Sequence, residues 1–268
     1  MQSDVGGSWF SDDSFWTDYA SLLFGPERWA EVPSVVDAIL SLAGKTPPGV
    51  PCHSGTGADP DRDTPYRHPG AVLDVCCGPG RHALEFARRG WTTTGIDLTP
   101  QYIAAAAESA DAMGVPAEFI EADARTWERP EAFDLAINLF TSFGYFEDEE
   151  DDLCMLAAIY RSLRPGGVLV LDLVGKELAV RDFTEGEWFE RDGRIVLTAF
   201  SVVGPWEYLR NRWIILDGNR RTDRTWDQRL YSATELVAVL KKAGFTDVRI
   251  YGSWDGSPYD RQADRLVA

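Results

Sequence analysis

Cysteine is scarce in this chain. Four residues, Cys52, Cys76, Cys77 and Cys154, are spread over 268 positions, and two of them are adjacent. No zinc-ligand spacing and no disulfide framework can be read from them, so reduced thiols and no metal are expected. Basic residues are outnumbered, 26 Lys and Arg against 43 Asp and Glu, giving a formal charge of −17. Such a surface repels polyphosphate, which argues against a nucleic-acid partner. No apolar run approaches the roughly 18 residues of a membrane span, so no membrane partner is expected. The opening MQSDVGGSWFSDD has neither the basic start nor the apolar stretch of a secretory signal, and a cytoplasmic chain is expected. No Ser/His/Asp or Cys/His constellation for nucleophilic catalysis can be read.

What is present is ordinary globular material, 44% hydrophobic and 26% charged. That suffices for one sizeable α/β domain with an insertion. Residues 1–43 are rich in aromatics, and Val32, Val35, Val36, Ile39 and Leu40 recur at helical spacing beside Pro33. This predicts an N-terminal helical cap or lid. Residues 44–70 hold Pro, Gly and Asp without periodicity and read as a loop. Strands then alternate with helices: strands at 71–76, 92–97, 117–122, 133–140 and 166–173. Such a rhythm specifies a parallel sheet with helices on both faces, the core being 71–184. The acidic run 147–152 suits the start of a helix at 153–163 better than it suits a metal. Residues 185–231 break the rhythm and read as antiparallel strands covering the site. Residues 232–268 return to the core, with a capping box at Ser232 and Glu235, a helix ending at Gly244, a sixth strand at 245–252 and a last one at 262–268.

The chemistry gathers at Val72-Leu-Asp74-Val-Cys-Cys-Gly78-Pro-Gly80-Arg-His82. A buried strand runs into a glycine turn that feeds a helix, leaving helix N–H groups free and letting a ligand approach the backbone. The spacing of Gly78, Gly80 and Ala83 also fits a relaxed dinucleotide fingerprint, and a plain strand–helix connection is the bland alternative. Asp97 closes the second strand, where a carboxylate accepts both hydroxyls of a ribose. Asp123 closes the third, where a carboxylate can accept an adenine amino group. Three acids at the carboxyl ends of neighbouring strands favour a ligand over three coincident helix caps.

With these motifs in this order, residues 71–268 resemble the class I S-adenosylmethionine-dependent methyltransferases. The resemblance implies a seven-stranded Rossmann-like sheet and S-adenosylmethionine as cofactor. It implies that Asp74, Cys76, Cys77, Gly78, Pro79 and Gly80 hold the methionine part, Asp97 and Leu98 the ribose, and Asp123 and Ala124 the adenine. It also implies that Asn138, Leu139 and Phe140, opening the fourth-strand loop that lines the transfer site, take part in binding the cofactor. Cys77 stands where a small residue is usual, and cysteine is small enough. Locally, CCGPGRH, NLFTSFGYF and DGSPYD are most similar to a subgroup of small bacterial methyltransferases.

Loops on the cofactor side and the two covering segments supply candidates for the rest of the site. Tyr19, Tyr145, Tyr259 and Asp260 are the candidates for catalysis. Trp16, Ser142, Phe143, Lys176, Arg210 and Arg212 are the candidates for substrate contact, and core packing or a solvated face is the competing reading for each. Asn211 and Trp213 are further candidates to cover the site, and His82 reads as structural or close to the cofactor. The acidic surface and the aromatics favour a small-molecule acceptor, with nitrogen slightly ahead of oxygen or carbon. A protein partner or a homodimer stays open. Two other functions compete: a nicotinamide-dependent oxidoreductase using the same turn, and a methyltransferase-like subunit that performs elimination or ring closure or only binds a partner.

Overall fold

The computed structural model describes residues 9–45 and 70–268. The loop expected at 44–70 therefore falls almost wholly outside the described residues, as do Cys52 and residues 1–8.

A short 3-10 turn (Trp9–Ser11) leads into α1 (Asp13–Leu23), α2 (Pro26–Ala30) and α3 (Val32–Leu42). The core then alternates β1 (Ala71–Val75), α4 (Arg81–Arg88), β2 (Thr92–Asp97), α5 (Pro100–Met113), β3 (Ala117–Glu121), β4 (Phe133–Asn138), α6 (Glu149–Ser162), β5 (Leu163–Leu173) and α7 (Lys176–Arg181). Four antiparallel strands follow: β6 (Gly186–Arg191), β7 (Arg194–Val203), β8 (Tyr208–Asp217) and β9 (Arg220–Arg229). The chain returns through α8 (Ala233–Ala243) to β10 (Leu266–Val267). The main sheet has the order β10-β5-β4-β1-β2-β3, parallel except for β10. This is a Rossmann-like α/β architecture.

Alternation along the strands builds the two faces. Val72, Leu135 and Ile137 pack with Phe86 of α4 and with Val36, Ile39 and Leu40 of α3. Leu73, Val75 and Ala136 pack on the other face with Met155 and Leu156 of α6 and Leu236 and Leu240 of α8. The helix starts are written locally. Asp148 accepts from Glu150 N, and four acids fill the first turn of α6. Ser232 and Glu235 form a reciprocal box at α8. Each cap stabilises its helix by about 1 kcal/mol.

The segment expected as a single cap is divided. The α3 helix belongs to a core layer, whereas Phe15, Tyr19 and Leu22 of α1 lie against Val196 and Ile215 of the antiparallel sheet. Of the seven strands expected, the sixth, at 245–252, does not form, and the last is only the two residues of β10. Residues 245–252 make only single bridges through Tyr251, to Pro258 and to Val267. Their neighbour β10 is two residues long and its other edge is taken by β5, so no longer ladder can be built.

Candidate functional site

The glycine turn needs backbone conformations that side chains resist. Gly78 and Gly80 have φ of 55° and 79°, in the left-handed region open to glycine. A Cβ on Gly80 would stand 2.8 Å from the Phe119 ring and 2.9 Å from Ala106. That glycine therefore serves the packing of α4 and α5 on the sheet. A Cβ on Gly78 would stand 3.1 Å from the Phe24 ring, on the open side of the turn. Cys77 is buried, and its sulfur lies 2.9 Å from where Gly95 lacks a Cβ, so the second strand makes room for it. Asp74 Oδ2 accepts from Ala83 N at 3.2 Å, tying the strand to the helix start.

The next two strand tips carry the other acids. Asp97 Oδ2 accepts from Gly78 N at 2.8 Å and Oδ1 from Thr99 N at 2.9 Å. One carboxylate thus fixes both loops at the head of the cavity. Asp123 is held by its neighbour: Arg125 donates from Nε to Oδ1 at 3.0 Å and from Nη2 to Oδ2 at 2.7 Å. Arg125 also reaches Asp151 at 2.7 Å; its own hydrogen bonds and charge hold the Asp123 carboxyl below its usual range.

At the tip of β4 the backbone is strained. Phe140 and Thr141 have φ of 56° and 61°, and Cys76, at the tip of adjacent β1, has 58°. Such residues cost on the order of 1–3 kcal/mol each and persist only where their surroundings impose them. For Phe140 and Thr141, Asp172 of β5 imposes them. Its Oδ2 accepts from Phe140 N at 2.9 Å, its carbonyl accepts from Thr141 N at 3.0 Å, and Arg265 braces the carboxylate at 3.0 Å. The Phe140 ring is consequently fixed under Arg81, whose guanidinium lies 4.1 Å from its centre, and beside the His82 ring at 5.5 Å.

These tips open onto one cavity of about 420 Å³, within the roughly 300–1,000 Å³ usual for small-molecule sites. Asp74, Cys76, Cys77, Gly78, Asp97, Leu98, Asp123, Ala124, Leu139 and Phe140 line it, with Ser142 and Tyr145. Phe10, Trp16, Leu22, Leu23 and Phe24 line it from the N-terminal segment, and Phe189, Arg191 and Trp213 from the antiparallel sheet. Burial pushes the Asp74 carboxyl up to about 7 and raises Asp97 as well. Burial and the charge of Arg81 hold His82 well below its ordinary value, so it is a neutral imidazole. Burial also raises the Tyr145 phenol and the Cys76 thiol, so both stay protonated near neutrality.

Other candidates lie elsewhere. Tyr19 is fully buried and donates to the Trp213 carbonyl at 2.8 Å, so it supports the cavity wall from behind. Tyr259 donates to Glu177 at 3.0 Å, and Asp260 accepts from Gln262 N in its own turn. Lys176 pairs with Glu235 at 2.7 Å. Arg210 and Arg212 pair with Asp227 and Asp223 on the face of the antiparallel sheet turned away from α1. Phe143 is buried against Tyr231, Asn138 donates to the Val75 carbonyl beneath the site, and Pro79 and Gly80 do not line the cavity. In their place stand residues the sequence did not single out: Arg28, Arg81, Phe24, Tyr102, Phe189 and Arg191. For Arg81, its position one residue after the glycine turn was the available signal.

Comparison with known proteins agrees with this geometry. The family described as a methyltransferase domain matches residues 72–167. A glycine/sarcosine N-methyltransferase of Aphanothece halophytica is 31% identical over 206 residues, 73% of this chain and 74% of that one. A Bacillus subtilis protein named as a methyltransferase, YqeM, is 25% identical over 203 residues, 74% of this chain and 82% of that one. Among solved structures, an S-adenosylmethionine-dependent methyltransferase from Clostridium acetobutylicum superposes with a TM-score of 0.71 at 15% identity, covering 95% of this chain and 96% of that one. An amino pentose methyltransferase from Micromonospora echinaspora, with S-adenosylmethionine bound, gives 0.63 at 22% identity, covering 100% and 98%. With a glycine turn and three carboxylates meeting in one cavity, and relatives of this kind across most of its length, the chain belongs to the class I S-adenosylmethionine-dependent methyltransferases.

Proposed function

We propose that this enzyme methylates a small-molecule acceptor, at nitrogen in preference to oxygen or carbon. The observation that carries the reading is the convergence of Asp74, Asp97 and Asp123, from three neighbouring parallel strands, on one cavity floored by Gly78. Relatives named as N-methyltransferases, of glycine/sarcosine and of an amino sugar from Streptomyces venezuelae, support nitrogen.

The donor set fits the cofactor. Asp97 keeps acceptor capacity beyond its two backbone bonds, suited to ribose hydroxyls, whereas both oxygens of Asp123 already accept from Arg125, so an amino group there would share an acceptor with that guanidinium. Asp74 offers a carboxylate to the cationic end. When bound, S-adenosylmethionine would supply a methyl carbon activated by the sulfonium for in-line displacement by the acceptor. The chain's own contribution is alignment and exclusion of water. Phe10, Trp16, Tyr145 and Phe146 enclose the cavity with ring contacts such as Phe10–Phe146 at 5.2 Å and Trp16–Tyr145 at 6.1 Å. Tyr145 and Ser142 offer hydroxyl groups beside the transfer region. No ionised base is needed for an amine that binds neutral.

The test is transfer of labelled methyl from S-adenosylmethionine to mixed pools of small amines, alcohols and activated carbon acids, with RNA and bulk protein as comparison pools. Label should enter the amine pool first. Label confined to RNA or protein would refute the small-molecule reading, and label confined to alcohols or carbon acids would refute nitrogen.

A further inference from the structure

The charged groups facing the cavity are sorted by sign. Its three carboxylates stand on the strand tips of the core. Its three guanidiniums come from other elements: Arg28 from α2, Arg81 from the first turn of α4, and Arg191 from β6. These arginines are slackly paired. Glu31 is shared between Arg28 at 3.3 Å and Arg81 at 3.6 Å, and Glu27 stands 3.4 Å from Arg191. For two of them the closer bond goes to a neutral main-chain carbonyl, Arg81 to Arg28 at 2.8 Å and Arg191 to Leu22 at 3.2 Å. On the opposite face of the same antiparallel sheet, Arg210 and Arg212 close on their aspartates at 2.7 Å. Full-strength guanidinium–carboxylate contacts fall at about 2.7–2.9 Å. Among the described residues, then, three cations of this wall share two distant carboxylates and keep a positive excess.

The same lining holds two buried ring nitrogens without a hydrogen-bond partner, His82 Nε2 and Trp213 Nε1. Buried polar atoms are rarely left unpaired. The two fall in different parts of the wall. His82, Arg81 and Arg28 gather on Phe140 next to the glycine turn, where on the methyl-transfer reading the cofactor's single carboxylate would be met. Trp213 and Arg191 belong to the antiparallel sheet, which contributes Phe189 between them and nothing to the strand tips. With Arg28 and Arg81 both gathered on Phe140, one guanidinium of the lining, that of Arg191, is left over.

We propose that the acceptor is an amine carrying its own carboxylate, with the carboxylate bound by Arg191 and the apolar body lying on Phe189 and Trp213. This rests on the methyl-transfer reading above and names the acceptor class for it. A wall with excess positive charge also disfavours an ammonium ion and favours the neutral, nucleophilic amine.

The experiment uses the full chain saturated with S-adenosylhomocysteine and titrates matched probes by calorimetry: phenylalanine, phenylalaninamide and phenethylamine, then glycine against glycinamide. In at least one series the carboxylate should bind about tenfold or more tightly than its neutral counterparts, the range for one charge-assisted pair. Arg191→Gln should remove that preference while leaving S-adenosylhomocysteine affinity within about twofold, and Arg191→Lys should restore part of it. Equal binding of carboxylate and amide in every series, or no binding of any probe, overturns the proposal. So does a preference that survives Arg191→Gln, or a matching loss of S-adenosylhomocysteine affinity, which would give Arg191 to the cofactor. Failure of the wild-type chain to bind S-adenosylhomocysteine removes the underlying methyl-transfer reading instead, and is seen before any probe is added.

Discussion

Asp74 is 3% exposed at the end of β1, and burial pushes its carboxyl from 3.8 up to about 7. The Ala83 N–H and the charge of Arg81 pull the other way, and burial wins. In an unfolded chain the same group titrates near 3.9. Between the two values the folded chain holds the proton and the unfolded chain does not, so this group makes stability fall as pH rises from about 4 to about 7. Three pH units at about 1.4 kcal/mol each amount to about 4 kcal/mol lost at pH 8, as an upper figure. Asp74→Asn keeps the shape and an oxygen for the Ala83 N–H but carries no charge. The variant should therefore be more stable than the wild type at pH 8, by about 2–4 kcal/mol, and equal to it at pH 4. Cofactor affinity should move oppositely. The charged ends of S-adenosylmethionine favour the ionised carboxylate, so wild-type affinity should climb between pH 5.5 and 7 and then level off, whereas the Asn variant should be weaker and flat. Chemical denaturation at the two pH values and calorimetric titration across the range measure both. A wild-type affinity independent of pH, or an Asn variant no more stable at pH 8, would refute the reasoning.

Asp97→Ala removes the acceptor for Gly78 and Thr99 as well as the proposed ribose contact, and S-adenosylhomocysteine affinity should drop about 100-fold or more; a loss under threefold by calorimetry would count against the assignment. Gly80→Ala forces a Cβ into Phe119 and Ala106 at a φ of 79°, and should cost about 2–4 kcal/mol in urea denaturation. Tyr231→Phe removes the hydroxyl that donates to fully buried Asp152 at 2.8 Å and should cost about 1–3 kcal/mol by the same measurement, with a change below 0.5 kcal/mol (about the effect of a neutral surface substitution) as the opposing result. Lys176→Ala and Tyr259→Phe alter residues outside the cavity and should leave S-adenosylhomocysteine affinity within about twofold.

The strand–turn–helix units were legible because their signals are local. The glycines, the acids that end each strand and the Ser232 box act on neighbours a few residues away. Residues whose role depends on long-range register were not legible in the same way. Arg210 and Arg212 alternate with Asn211 and Trp213 along β8, and only the pairing with β7 and β9 decides which set turns toward α1. Trp213 and Ile215 are the apolar members of that alternation, a signal that separates the inner set from the two arginines. Tyr19 follows Phe15 at four residues and precedes Leu22 by three, the spacing of a packed helical face, which outweighs its chemical appeal. The segment 245–252 has strand-like composition, but a strand also needs a partner edge, and β10 supplies two residues.

The antiparallel sheet enters the chain after α7 and leaves it before α8, both of which are anchored to the core. Its main attachment to the floor is its last strand, where Arg229 N donates to the Gly144 carbonyl at 2.9 Å and Gln228 to the Phe143 carbonyl at 2.8 Å. Three of its four strands can thus drift in sequence while the parallel scaffold beneath stays unchanged. On the proposed reading the fold works as a fixed handle with an exchangeable jaw, whose grip would change by substitution at Phe189, Arg191 and Trp213.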